Sequence, residues 1–411
     1  MRVVMATWGR FHSFHLARRL YKDNWLAGVF TTFPKFTLRR EQIPDELIFS
    51  NPWVHVPMLA KARVGLSWPR IDGSLYAATD WFQQRFIARR MPECDALFAL
   101  SGSGLSGGRI VQRRGGIWLC ERTSSHVLVQ LRLMQEEHQR WGTEPDVATQ
   151  WIVRKELAEY DEADAVVVPS TFVKQSFLDE GVPESRLRVV PLGTSTAHFE
   201  PTREPAADEF RVLFVGQVSL RKGIPYLLKA FHRLSHPNKK LVIIGSMAPG
   251  MKAILDRLPT DNVEFVGTVP HLELKHLFSR SHAFVLPSIE DGFGAVMGEA
   301  MACGCPVIAT ENTGGRDCFT DGVEGFVVPI RDENAILDRL ERLAQDTALQ
   351  KRMRASAIAA VQLRGGWDSY TTCIKNLIVE LVDRKRSAVS SRHGGSVVRG
   401  DCRSSSQRST D

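Results

Sequence analysis

A chain of 411 residues, 43% hydrophobic and 24% charged, exceeds what one hydrophobic core usually supports and is predicted to form two globular domains. No run approaches the ~20 apolar residues that span a bilayer, and the opening MRVVMATWGRF has too short an apolar run for a signal peptide, so a membrane-embedded or exported class is not expected. The formal net charge of +7 is uneven: residues 1–115 carry 17 Lys/Arg against 8 Asp/Glu and residues 384–411 carry 7 against 2, a skew that suits a phosphate-rich partner.

In chain order, VVMAT (3–7) reads as a first strand, and a Trp8-Gly9-Arg10 turn leads into a helix over SFHLARRLYK. DALFAL (95–100) and GIWLCE (116–121) read as strands and LVQLRLMQEEHQRW (128–141) as a helix. EADAVVVPS (162–170) is a buried strand, TFVKQSFLDEG a helix, and LRVVPLG (187–193) a last strand. Pro201 to Asp208, rich in Pro, Ala and acids, reads as a linker. The alternation then restarts with FRVLFVG (210–216), KKLVIIGS (239–246), NVEFVG (262–267), HAFVLPS (282–288), CPVIAT (305–310) and EGFVVP (324–329). Between them lie helical stretches such as IPYLLKAFHRLS and ENAILDRLERLAQD. Short β-rich runs alternating with amphipathic stretches are the pattern of a parallel sheet flanked by helices, so two α/β units are predicted, residues 1–200 and 201–366. A helix over 367–385 follows, and the Ser/Arg/Gly-rich residues 386–411 are predicted to be disordered. Two Rossmann-like units place one cleft at the carboxyl ends of their strands, and every candidate below falls in or just beyond a turn after a strand.

The richest segment is FVLPSIEDGFGAVMGEAMACGCPVIAT (284–310). Its strand ends in a loop, and Gly294 opens a helix that closes at Gly304. Gly292 and Gly294 let the backbone approach a ligand, and the free N–H groups at the helix start favour an anion such as a diphosphate. Asp291 lies on the loop and Glu299 about a turn into the helix, roughly 6 Å along its axis, so they can contact different parts of one extended ligand. A carboxylate accepts from two hydroxyls at once, which suits a sugar or ribose diol.

This segment resembles the donor-binding signature of glycosyltransferase family 4, P-S-x-x-E-G-F-G-x-x-x-x-E-A-M-A-x-G. The resemblance implies a GT-B fold, two Rossmann-like domains facing each other across a cleft. It also implies transfer from a nucleotide-sugar donor with retention, without a bound metal or other cofactor. By the same resemblance Glu299 holds the donor ribose, Asp291 meets hydroxyls of the donor sugar, and the amides after Phe293, those of Gly294 and Ala295, meet the diphosphate. Asp291 stands where the family has Glu, and the neighbouring Glu290 is the acid expected to compensate.

FVGQVSLRKGIPYLLKAF (214–231) is similar to the family's F-V-G-R-x-x-x-x-K-G turn, in which Arg and Lys neutralise the diphosphate. Gly216 and Lys222 match directly. Gln217 replaces the Arg and brings no charge, so Arg221 is the expected substitute. On the N-terminal side the resemblance assigns the loop with Gly9, Arg10 and His12 to donor and acceptor, and His126, in LCERTSSHVLVQ, to the donor sugar near the reacting carbon. The expected catalytic set is therefore His126, Lys222 and Asp291. Glu156 is read as structural. PLGTSTAHFEP (191–201) resembles the family's interdomain linker, with Ser195 where Asp is usual. Gly366-Trp367-Asp368-x-Tyr370 resembles its closing motif, after which the last helix crosses back to the first domain.

The seven cysteines are odd in number and lack metal-ligand or redox spacing, so they are read as reduced thiols of the cytosol. The expected partners are a nucleotide-sugar donor and a glycan or lipid-linked acceptor in cell-surface polysaccharide or glycoconjugate synthesis. An anionic membrane surface, at the inner face of the membrane, is a candidate partner of the basic first domain and tail. No nucleic-acid motif accompanies the charge, and a phosphorylase would need a cofactor lysine or phosphate pocket that the sequence does not place. Gln217 and Asp291 keep one alternative open: a sugar-nucleotide-binding protein of the same fold with weak or lost transferase activity.

Overall fold

A computed structural model describes residues 1–9, 12–54, 69–144, 150–194 and 198–394. In the first domain β1 (Val3–Thr7), β2 (Leu26–Thr31), β3 (Ile48–Ser50), β4 (Ala96–Leu100), β5 (Ile117–Glu121), β6 (Ala165–Val168) and β7 (Leu187–Val189) form one parallel sheet, ordered β3-β2-β1-β4-β5-β6-β7. In the second, β8 (Phe210–Val215), β9 (Lys239–Ile244), β10 (Val263–Gly267), β11 (Ala283–Leu286), β12 (Val307–Thr310) and β13 (Gly325–Val328) are ordered β10-β9-β8-β11-β12-β13, also parallel. The longer helices are α1 (Ser13–Lys22), α2 (Pro69–Arg90), α3 (Leu105–Arg113), α4 (Val127–Trp141), α5 (Gln150–Glu162), α6 (Thr171–Asp179), α7 (Ile224–Arg233), α8 (Val296–Ala302), α9 (Glu333–Gln345), α10 (Thr347–Leu363) and α11 (Gly366–Gly394). This is the GT-B arrangement of two facing Rossmann-like domains.

The central strands read as apolar runs because both faces of each sheet are covered there, whereas the edge strand β10 leaves Phe265 and Val266 exposed. In the first sheet Val3, Met5, Phe98 and Leu119 face one core, with Phe14, Leu20 and the α11 residues Ile374 and Ile378. Val4, Ala6, Leu97 and Trp118 alternate to the other face, against Val111, Tyr160 and Phe177. β2 and β3 had no counterpart among the predicted strands. Gly28 interrupts the apolar run of β2, and β3 has only three residues.

The chain crosses between domains twice. The first crossing leaves β7 through Val190–Thr194, and Phe199 is already buried in the second domain's core, just ahead of the expected boundary. The second opens α11, which packs against α1 and β5 of the first domain. The crossings touch: a Cβ on Gly193 would lie 2.5 Å from the backbone nitrogen of Trp367, so no side chain fits there.

The expectation of disorder from residue 386 is corrected for its first part, because α11 runs on to Gly394. Each further residue of an established helix adds one hydrogen bond without a new nucleation cost. Lys385 also donates to the carbonyl of Gly116 at 2.7 Å, and Arg386 pairs with Asp95 at 2.8 Å. Residues 395–411 lie outside the described ones.

Candidate functional site

Strand order reverses between β1 and β4 in the first sheet and between β8 and β11 in the second. Ligands of open parallel sheets bind in the crevice outside such a reversal, at the carboxyl ends of the strands. The loops that follow β8 and β11 carry the predicted donor residues.

These two loops meet through Lys222 and Asp291, whose ammonium and carboxylate are in direct hydrogen-bond contact with both side chains mostly buried. Burial works to raise the Asp291 carboxyl, but the charges of Lys222 and Arg221 and the donated N–H groups outweigh it and hold the carboxyl below its usual range. Asp291 is thus already paired at the place where it was expected to meet a sugar. The helix predicted over 294–304 is the shorter α8. Ahead of it, the N–H groups of Gly294, Ala295 and Val296 have no acceptor among the described residues. Glu299 lies in the first turn of α8 and accepts from His271 Nε2 at 2.9 Å. Sequence reasoning missed His271; a histidine in the turn after β10, at the same sheet edge, was the available signal. Gln217 is exposed at the end of β8, next to Gly216.

Arg221 and Glu290 are paired with each other. Arg221 donates to the Glu290 carboxylate at 3.2 Å and to its carbonyl at 3.3 Å, so it is not a free substitute for the missing Arg. Glu290 is fully buried, accepting from the Ser125 N–H at 2.8 Å and from Gln130 at 3.1 Å in the first domain. It joins domains instead of compensating for Asp291. Among the described residues, Lys222 and Arg221 near the expected diphosphate are therefore each paired with a carboxylate.

Gly292 has a different reason from the expected one. A Cβ there would sit 1.8 Å from the carbonyl oxygen of Thr123, so the space is filled by the first domain and not left for a ligand. The Ser170 hydroxyl donates to the Gly292 carbonyl at 2.6 Å, and Asp317 accepts from the Thr171 N–H, closing the junction. Gly294, at φ +73°, supplies the turn into α8, and Phe293 packs into the second core.

His126 lies against the first domain's core. It is 2% exposed and caps α4, with its Nδ1 accepting from the Leu128 N–H at 3.4 Å. Its ring lies between Tyr160 and Phe177, and burial pushes the imidazole down to about 4. The cap geometry turns the ring into the first core, so what the β5 loop presents to the second domain is the backbone of Thr123 to Ser125. Arg122 holds that loop, donating to Ser125 O, Glu156 and Gln130.

His12 is better placed. Its Nε2 lies 2.8 Å from Glu121 at the end of β5, and the Tyr370 hydroxyl donates to the same carboxylate oxygen at 2.6 Å. Burial alone would lower the imidazole, but Glu121 outweighs it and raises it. Gly9 is buried and bonded to the Thr7 hydroxyl, whereas Arg10 and Ser195 lie outside the described residues. Glu156 is buried in the Arg122 network, in keeping with a structural part. Among the described residues no group of three or more His, Cys, Asp or Glu is placed to hold a metal, and no helix is long and apolar enough to cross a membrane.

Comparison with known proteins places residues 198–360 in the family described as glycosyl transferases group 1. The chain is similar to a D-inositol 3-phosphate glycosyltransferase of Acidothermus cellulolyticus, 28% identical over 62% of this chain and 66% of that protein. It spans about half to two thirds of the length of the first curated relatives it matches. Among solved structures it resembles a sucrose-phosphate synthase of Thermosynechococcus elongatus, with TM-score 0.70 and 21% identity over 93% of this chain and all of that one. It also resembles Anabaena HepE in complex with UDP, with TM-score 0.68 and 16% identity over 92% of this chain and all of that one. At such identities the structural likeness establishes the fold alone.

Proposed function

We propose, from the premise that residues 198–360 are a glycosyl transferases group 1 domain, that this chain moves a sugar from a nucleoside-diphosphate donor to a hydroxyl of a glycan or lipid-linked acceptor. The observation that carries the reading is the meeting of Lys222, Asp291 and the open amides of residues 294–296 at the reversal point of the second sheet, with Glu299 one helical turn on. The donor lies along this edge, its diphosphate on the amides and Lys222, its ribose on Glu299 and its sugar toward Asp291 and the first domain. A UDP-sugar is the first donor to try, since a structural neighbour was solved with UDP.

In the proposed reaction the bond from the anomeric carbon to the diphosphate oxygen breaks while the acceptor oxygen attacks from the same face. The acceptor proton passes to the departing phosphate oxygen, so no enzyme nucleophile and no metal is required. The chain contributes positioning, and positive potential from Lys222 and the amides where charge develops. Synthesis of a polysaccharide or glycoconjugate is the setting that fits this chemistry.

One observation favours a second reading. Lys222 is paired with Asp291, Arg221 with Glu290, and Gln217 is neutral, so among the described residues little free positive charge is left for the leaving group. That supply would suit a slow transferase or a sugar-nucleotide-binding protein. Thermal-shift screening with UDP-, GDP- and ADP-sugars, followed by single-turnover hydrolysis, separates the readings. Donor binding with product release supports transfer, tight binding without turnover supports the second reading, and no nucleotide binding at all removes both.

A further inference from the structure

The first domain carries an aromatic and basic surface that the donor site does not use. Trp53, just beyond β3, is 85% exposed, and Trp81 and Phe82 on α2 are 54% and 59% exposed. They line an open groove of about 820 Å³ together with Arg85, Arg89 and Arg90. The spacing explains the grouping: Trp81, Arg85 and Arg89 recur every four residues and so share one side of α2. The Trp81 and Phe82 rings meet edge to face at 5.0 Å, and the Arg85 guanidinium lies 4.9 Å from the Trp81 ring centre. No acidic residue is among the described residues that line the groove; Asp80, next to Trp81 in sequence, is buried in an ion pair with Lys155.

Large rings left in water are costly, and three arginines with no carboxylate partner among the described residues of the groove favour an anionic partner. We infer that this surface docks on an anionic lipid bilayer, with Trp53, Trp81 and Phe82 entering the headgroup level and the three arginines meeting lipid phosphates. Indole rings combine an apolar body with one polar N–H, and arginine lays its stem on apolar surface while keeping its charge at the interface. The excess of 17 basic over 8 acidic residues in positions 1–115 gives the same direction of attraction at longer range. The inference rests on this surface and not on the transfer chemistry.

The test is co-sedimentation of the full chain with phosphatidylcholine vesicles, with and without about a quarter phosphatidylglycerol. Binding is expected only with the anionic lipid, with loss at high salt. Arg85→Gln/Arg89→Gln/Arg90→Gln should weaken the partition coefficient by roughly 100-fold, about fivefold per arginine. Trp53→Ala/Trp81→Ala/Phe82→Ala should abolish quenching of tryptophan fluorescence by brominated lipid, with nucleotide binding unchanged in both variants. Failure of the wild-type chain to pellet with anionic vesicles overturns the inference. So does wild-type-like pelleting of the arginine variant, which would put the contact elsewhere. A wild-type dimer that becomes monomeric in the aromatic variant would assign the surface to a second copy and also overturn it. Should the aromatic variant fail to fold, the arginine variant alone decides.

Discussion

The buried carboxylate of Glu290 in the second domain accepts the backbone N–H of Ser125 in the first, at 2.8 Å. The same carboxylate serves Gln130 and Arg221, so one acid from the donor loop fixes the β5 loop, an arginine and its own strand end together.

Glu290→Gln should destabilise the junction, because an amide presents N–H groups where Gln130 and Arg221 also donate. A loss of about 1–3 kcal/mol is expected. Urea denaturation reads the loss, and small-angle scattering should report a more open shape. Unchanged stability and shape would mean that Glu290 does not hold the domains.

Lys222→Ala should cut nucleoside-diphosphate affinity about tenfold or more, since hydrogen bonds from a charged group contribute about 1.5–3 kcal/mol. Asp291→Asn releases Lys222 from its pair and should strengthen binding of the free nucleotide while slowing sugar transfer. Calorimetry with UDP, beside transfer rates, distinguishes the two. Equal affinity in wild type and Lys222→Ala would remove Lys222 from the donor site.

The hydrogen bond from His271 to Glu299 predicts a pH dependence. Glu299 raises the His271 imidazole above its ordinary value, and burial opposes this more weakly. The folded state thus binds the proton more tightly, so the stabilisation is fully present below about 6.5 and fades as pH rises through the raised value. Protonated His271 competes with ribose for Glu299, so donor affinity should increase across that same rise. His271→Gln, which cannot titrate, should flatten the profile; an identical profile in this variant would assign the dependence to another group.

Gly292→Ala places a methyl group against the Thr123 carbonyl, and neither partner is a flexible side-chain end that could give way. Each domain should still fold, with an unchanged far-UV circular dichroism spectrum. Transfer should fall about tenfold or more, because overpacking of this kind costs about 1–3 kcal/mol and is relieved here by separating the domains. Full activity in the variant would show that the junction opens during turnover without cost.

Much of this architecture could be read from the residues. Strands such as VVMAT and AFVL announce themselves because burial on both faces leaves them almost wholly apolar, and the loop positions of Lys222 and Asp291 follow from where β8 and β11 end. Contacts between distant segments were not legible. Glu290 and Ser125 are 165 positions apart and His271 and Glu299 are 28 apart, and neither pair leaves a periodic trace. His126 misled for a local reason: it directly follows the loop that meets the second domain, but its capping geometry turns the ring into the core. Gly292 was read as room for a ligand because sequence records the absence of a side chain and not what occupies its place.

The contact of Gly193 with Trp367 determines how the two domains can move. With the outgoing and returning segments of chain pressed backbone to backbone, both tethers sit at nearly one point, so sliding the domains past each other would have to stretch them. Rotation about that point stretches neither. The motions left to the linkers are thus rotations about one pivot. The far rim of the cleft, on the longest radius from that pivot, travels most for the least distortion of the chain.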